Sequence, residues 1–279
     1  MCGICGFVNL DGSEAAVEVV AKMNAKLHHR GPDDGAEFRA GAAAMGHRRL
    51  SIVDLARGRQ PMHLPEAGLT IVYNGEVYNH LELRQQLEHS PEAYRTTSDT
   101  ETILHGFHQH REHVVDMLQG MFAFAVYDDR DRSLFIARDR LGIKPLYYYE
   151  SERLFAFASE IKALLAHPEI NARVNSRKLA EQLTVKYTLD DQTLFAGIKK
   201  LLPGHFLWLR EGRLTQRQYW DLSYTPKKTQ LSFRDAADEF KSKFDDSVRA
   251  RLMADVPLGV FLSGGIDSSV IAASMARMT

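Results

Sequence analysis

The chain of 279 residues begins Met1-Cys2-Gly3-Ile4-Cys5-Gly6, and no other stretch constrains it more. Once Met1 is removed, Cys2 carries a thiol and a free α-amine on one Cα. The amine has a reference pKa of about 7.7–8.0 and the thiol about 8.5, so each titrates close to neutral pH. Such an amine can take the thiol proton through one water, and the thiolate can then attack a carbonyl without help from a histidine. Gly3 and Gly6 allow close backbone approach around the thiol. The plain alternative is a small buried Cys in a first strand over residues 3–8. The rest of the chain has to decide between them.

The bulk numbers narrow the class. The length suits one large domain or two smaller ones. With 35 basic against 36 acidic side chains there is no basic excess that calls for nucleic acid, and no acidic tail. The longest apolar runs are too short to span a bilayer, and the N-terminus lacks the form of a signal peptide. Two cysteines make no disulfide framework, and a Cys2–Cys5 bridge would disable the nucleophile, so a reducing cytoplasm is expected.

Patterning then organises the chain. Residues 14–28 read as a helix with Ala16, Val20, Met23 and Leu27 on its buried stripe. His29-Arg30-Gly31-Pro32-Asp33-Asp34-Gly35 stops it in a polar loop. Strands are expected over 42–47, 69–73, 120–128, 133–137, 144–149 and 154–158. Residues 79–88 suggest a helix. Ser98 or Asp99 should cap another. A further helix is expected over 176–187, and a hairpin over 205–209 and 213–220 around Glu211-Gly212. Residues 221–232, with Pro226, Lys227 and Lys228, read as a linker. A long amphipathic helix over 233–253, a buried strand over 256–262, a Ser/Gly turn and a helix to Met278 mark a second, α/β domain. The domains expected are thus 1–220, the linker, and 233–279. The first is strand-rich with few helices, which suits layered sheets rather than alternating βαβ units.

The second motif is Ser263-Gly264-Gly265-Ile266-Asp267-Ser268-Ser269. It has no Lys and is not the GxxxxGK[ST] loop. A nest of backbone N–H groups at a helix N-terminus, with Ser hydroxyls as further donors, suits a pyrophosphate. Asp267 is placed to hold magnesium, directly or through water. The stretch resembles the pyrophosphate loop of AMP-forming ATP pyrophosphatases, and that resemblance implies that Phe261 and Leu262 border an adenosine. His105, His108, His110 and His113 cluster near a helix end, where a solvated helix end competes with a metal site.

Taken in order, residues 1–6, 29–35, 49–54, 73–79, 98–101, 138–148 and 159–164 resemble the class II, N-terminal-nucleophile glutamine amidotransferases. With the Ser263–Ser269 loop, which resembles that of AMP-forming ATP pyrophosphatases, the whole resembles the glutamine-hydrolysing asparagine synthetases. For the fold the resemblance implies an α+β four-layer sandwich (αββα), followed by the start of an α/β ATP-pyrophosphatase domain. It implies that Cys2 attacks the side-chain amide of glutamine, forming a γ-glutamyl thioester and releasing ammonia.

The resemblance also assigns residues. Asn74 and the Gly75 N–H are the oxyanion donors, where the sequence alone would allow an ordinary Asn-Gly turn. Arg49 takes the glutamine α-carboxylate, with the backbone of Leu50, Ser51, Ile52 and Val53 lining the same pocket. Asp99, with Glu76, takes the α-ammonium. Cys5 belongs to the core. An apolar tunnel, with Met121 and its neighbours over 120–124 as candidates, would carry ammonia to a site that activates aspartate with ATP and magnesium. Glutamine hydrolysis itself needs no cofactor. The partners implied are glutamine, aspartate and ATP, with no nucleic acid and no membrane; a homodimer stays open. The family continues for several hundred residues beyond Thr279, so the chain reads as a fragment. Two alternatives stay open: an amidotransferase using another carboxylate, and a non-catalytic glutamine-binding module.

Overall fold

Residues 121–127 are apolar without a break, too many for a strand with one wet face. A computed structural model, describing residues 1–87, 93–225 and 230–279, shows why. Alternate side chains of this strand enter two different cores: Phe122, Phe124 and Val126 one, Ala123, Ala125 and Tyr127 the other.

The chain divides into two units, Met1–Asp221 and Leu222–Thr279. In the first, the early strands are β1 (Gly3–Asn9), β2 (Asp34–Ala40), β3 (Ala43–Arg49), β4 (Met62–Leu64), β5 (Leu69–Val77) and β6 (Gly120–Asp128). They are followed by β7 (Ser133–Arg138), β8 (Tyr147–Glu150), β9 (Leu154–Ala158), β10 (Ile198–Lys200), β11 (His205–Arg210) and β12 (Arg213–Gln218). The helices are α1 (Val17–Ala25), α2 (His80–Gln86), α3 (Asp99–His110), α4 (Val114–Met117), α5 (Ile161–Leu164) and α6 (Ser176–Val185). Two six-stranded sheets result, in the orders β10-β8-β9-β1-β3-β2 and β12-β11-β7-β6-β5-β4, with every pairing antiparallel.

Three cores make four layers. Ile4, Met45, Phe155 and Phe157 of the first sheet meet Val72, Ala125, Ile136 and Leu207 of the second. Cys5, Phe7, Ala156 and Ala158 face outward onto Val20 and Met23 of α1, onto Leu27 just after it, and onto Ala163 and Leu164 of α5. On the far side Ile71, Tyr73, Phe124 and Phe135 meet Ile103, Leu104 and Phe107 of α3. The αββα sandwich is therefore present, and the central strands of both sheets are buried on both faces, while the edge strands β2 and β12 are largely exposed.

Several expectations need correction. The strand expected over 69–73 runs on to Val77, so that Asn74-Gly75, for which a turn was the alternative, lies inside β5, paired with Ala123 and Phe122. β2 was not expected, although its partly buried Ala36, Phe38 and Ala40 alternate with exposed Gly35, Glu37 and Arg39. The strand expected from Lys144 starts at Tyr147, because the Lys144 N–H is taken by Asp139 (2.9 Å) and its carbonyl by Arg138 (2.7 Å). The first helix is shorter than expected and ends before a separate turn, His28–Arg30. For the helix expected over 79–88, Glu88 lies outside the described residues, as do Pro226, Lys227 and Lys228 of the linker.

In the second unit, α7 (Phe233–Ala250) and α8 (Ile266–Met275) form, but residues 256–262 make no strand. A strand needs neighbouring backbone to pair with, and the described residues of this unit offer none. Phe233, Phe261 and Ile266 there stand almost wholly exposed.

Candidate active site

Cys2 precedes β1, a central strand of the first sheet, and Gly3 pairs with Arg48. That register sets the thiol beside the chain leaving β3. Its Sγ lies 3.4 Å from the Leu50 N–H and 3.6 Å from the Leu50 carbonyl oxygen. The Arg30 Nε donates to the Cys2 carbonyl (2.8 Å), and Arg30 itself is held by Glu160 (3.0 Å). Ser159 exchanges two hydrogen bonds with the backbone of Ile4, at 3.0 and 2.8 Å. Burial pushes the Cys2 thiol up, against the Leu50 N–H and the charges of the amino terminus, Arg49 and Lys144. Burial lowers the Met1 amine, Cys2 raises it, and Arg30 and Lys144 lower it further. With Met1 in place the Cys2 nitrogen is an amide and cannot act as a base. Met1 is 57% exposed, so it is open to removal.

The second sheet supplies the donors. β4 covers β5 only from Leu69 to Ile71, so the edge beyond is free of strand. Phe122 turns both backbone groups to Asp139, at 3.2 and 2.8 Å. Its partner Gly75 is therefore in a non-hydrogen-bonded pair, and the Gly75 N–H points off the open edge. Along that edge the Tyr73 N–H donates to Gln60 Oε1 (2.6 Å) and the Val77 N–H to Asp99 Oδ2 (2.8 Å). A Cβ on Gly75 would lie 2.3 Å from the Met121 carbonyl oxygen, so only glycine fits between the strands. Asn74 is buried, and its Nδ2 has no hydrogen-bond partner.

The remaining polar groups close around this edge. Arg49 sends Nη1 to the Leu55 carbonyl (3.2 Å) and Nη2 to those of Val53 (3.0 Å) and Asp54 (2.7 Å). It thereby holds the loop after β3 as one wall. Asp99 opens α3 behind the capping Ser98 and accepts the Tyr73 hydroxyl at 2.7 Å. Burial raises its carboxyl despite these donors. Burial raises Glu76 as well, and it lowers Lys144. One cavity is lined by Cys2, Arg49, Leu50, Ile52, Val53, Asn74, Gly75, Glu76 and Asp99, all expected from the sequence. Ser51 does not line it; its N–H donates to Asp33 (2.8 Å) instead. Gln60, Tyr73, Ser98, Thr100 and Lys144 line it too and were not expected. Tyr73 and Lys144 fall inside stretches carrying the resemblance, whereas Gln60 has no local signal. Among the described residues no group of three His, Cys, Asp or Glu could hold a metal, and His105 packs on Tyr94 at 4.6 Å between rings.

The Cys2 thiol thus lines one cavity with the open-edge Gly75 and a buried, unpartnered Asn74 amide. Comparison with known proteins agrees: residues 1–220 match the family model of the glutamine amidotransferase domain. The chain belongs to the glutamine amidotransferase family. Residues 239–279 match a second family model, asparagine synthase. Asparagine synthetase (glutamine-hydrolyzing) 3 of Bacillus subtilis is 42% identical over 277 residues, which is 98% of this chain and 45% of that protein. A putative asparagine synthetase (glutamine-hydrolyzing) 2 of Methanocaldococcus jannaschii is 36% identical over 306 residues, covering 100% of this chain and 58% of its own. The amidotransferase chain thus spans about half the length of these relatives. Among solved structures, glutamine phosphoribosylpyrophosphate amidotransferase from B. subtilis superposes with a TM-score of 0.55 at 18% identity, over 99% of this chain and 64% of that one. At that identity the likeness concerns the fold.

The amidotransferase's second unit carries the Ser263–Ser269 loop at the start of α8, whose N-cap is Gly265. Ser268 Oγ closes the loop on Ser263 Oγ (3.0 Å), and Gly264 takes a φ of 81°. Phe261, Leu262 and the loop, Asp267 included, are exposed except for the half-buried Ser268. The described residues give them no enclosing wall. No helix among the described residues is long and apolar enough to cross a membrane.

Proposed function

We propose that the chain, once Met1 is removed, hydrolyses glutamine to glutamate and ammonia through a Cys2 thioester. The observation that carries this is the buried Asn74 Nδ2 without a partner, in the same cavity as the Cys2 thiol. An unsatisfied buried donor is costly, and an oxyanion would satisfy it. The Cys2 amine takes the thiol proton, and Sγ bonds to the amide carbon. The oxyanion rests on Asn74 Nδ2 and the Gly75 N–H. Collapse breaks the C–N bond, the amine returns its proton to the leaving ammonia, and water then hydrolyses the thioester. Asp99 and Glu76 bind the substrate's ammonium, and Arg49 with the loop it holds binds its carboxylate. Trapping a γ-glutamyl adduct on Cys2 tests the reading. Modification at Cys5 alone, or no glutamate release by protein starting at Cys2, refutes it.

Within a longer protein we assign the ammonia to asparagine synthesis, with the domains 1–220 and 233–279 joined by a linker. Support comes from the asparagine synthase match and from the relatives' names. In that protein Phe261, Leu262 and the Ser263–Ser269 loop would hold ATP, and Asp267 magnesium, once further chain encloses them. Aspartate would be the acceptor, and Met121 would border the ammonia path. Two free cysteines suit a reducing, cytoplasmic setting. Aspartate-dependent pyrophosphate release by the longer protein is the test, and release dependent on a different carboxylate would reassign the acceptor.

A further inference from the structure

The chemistry above leaves one charged side chain of the cavity without a task. Lys144 lines it together with Cys2 and Glu76 and is 5% exposed. Its backbone is pinned on both sides, by the Asp139 carboxylate at its N–H (2.9 Å) and by Arg138 Nε at its carbonyl (2.7 Å). Asp139 also takes the N–H groups of Leu141 (3.1 Å) and Ile143 (2.9 Å), so the segment leading to Lys144 is preorganised. Among the described residues the Lys144 ammonium has no hydrogen-bond or ion-pair partner. Burial disfavours this ammonium, while the charges of Glu76 and Cys2 favour it. The other cations near the thiol are committed, Arg30 to the Cys2 carbonyl and Glu160, Arg49 to three loop carbonyls. The other titratable groups around the thiol are the α-amine, Glu76 and Asp99, which line the same cavity, and Asp33, which acts on the amine.

We infer that Lys144 supplies the counter-charge for the Cys2 thiolate. This deepens the glutaminase reading and rests on it. One cation acts on both partners of the proton transfer. It favours the thiolate, and it disfavours the protonated α-amine, which therefore remains a free base ready to take the thiol proton. The proton passes from Sγ to that nitrogen, and nothing else is consumed. Its influence on the Cys2 thiol has that direction, lowering it against burial.

The test uses protein starting at Cys2, in a Cys5→Ser background so that one thiol reacts. The rate of iodoacetamide alkylation is followed against pH, beside kcat and KM for glutamine. Lys144→Met is expected to move the alkylation midpoint up by about one pH unit or more. It should lower kcat at least about tenfold, and Lys144→Arg should restore much of both. An unmoved midpoint in folded Lys144→Met, or an Arg variant as impaired as the Met variant, overturns the inference. Should Lys144→Met not fold, Glu76→Gln takes its place: with the anion gone the midpoint must fall, and an unmoved or raised midpoint overturns it. Alkylation needs only the thiol. A wild-type protein that releases no glutamate therefore sinks the glutaminase reading while the Lys144 comparison still decides.

Discussion

The Cys2 thiol sits on the backbone of Leu50, 3.4 Å from its N–H and 3.6 Å from its carbonyl oxygen. A fixed donor favours the thiolate, and a fixed acceptor orients the thiol before the proton leaves. Cys2→Ala should abolish glutamine hydrolysis with the fold intact. Retention of Met1, verified by mass spectrometry, should do nearly the same, because the base is then an amide. Full activity in Met1-bearing protein would disprove the assignment of the amine. Cys5→Ser should leave turnover within a few-fold, since Cys5 is wholly buried in the α1 core.

Asn74→Ala should lower kcat by about 10²–10³, with KM little changed, because the Nδ2 donor acts on charge that develops in the transition state. Steady-state kinetics on glutamine read this directly. A rise in KM with kcat spared would mean that Asn74 binds substrate instead.

Arg49→Ala removes three hydrogen bonds from a charged donor to loop carbonyls, and each such bond is worth ~1.5–3 kcal/mol. Both KM and thermal stability should suffer, with a KM rise of about tenfold or more. Arg49→Lys keeps the charge but not the fork, so it should recover little. A KM effect without any fall in Tm would show that Arg49 serves the substrate alone.

His47 links the two sheets, its Nε2–H donating to the Tyr73 carbonyl at 3.0 Å while Nδ1 is buried without a partner. Burial holds its pKa at about 4 against an ordinary 6.5. The unfolded chain therefore binds the proton first as pH falls. Stability from this group is complete above about pH 6.5 and is lost between there and about pH 4, by ~3 kcal/mol. His47→Gln keeps an amide donor and should flatten that part of the stability-versus-pH curve in denaturant titrations. An equally steep curve for the variant would place the dependence elsewhere.

Legibility followed burial. β6 and β9 have the expected bounds because strands buried on both faces read as unbroken apolar runs. The β11–β12 hairpin was legible because Glu211 and Gly212 both take positive φ, 48° and 71°, as a two-residue turn with strand twist demands. β2 was missed because it is an edge strand whose small Ala36 and Ala40 give weak alternation. The expectation for residues 256–262 failed because an apolar run records a tendency to be buried, and pairing needs backbone that these described residues lack.

By itself the sequence determined that the proposed nucleophile and base stand together, since the thiol and amine of Cys2 are covalent neighbours wherever the chain goes once Met1 is removed. Its apolar patterning also pointed to layered sheets with helices, while the count of four layers came from the family resemblance. Tertiary structure alone decided what surrounds the thiol. Gln60, Tyr73 and Lys144 are distant in sequence, and their convergence depends on β4 beginning only at Met62, opposite Ile71, which leaves the edge of β5 beyond it open. It also decided that the Asn74-Gly75 pair stays extended. The local preference for a turn is worth less than the pairing of β5 with β6 from Leu69 to Val77, and only that pairing turns the Gly75 N–H outward toward the cavity.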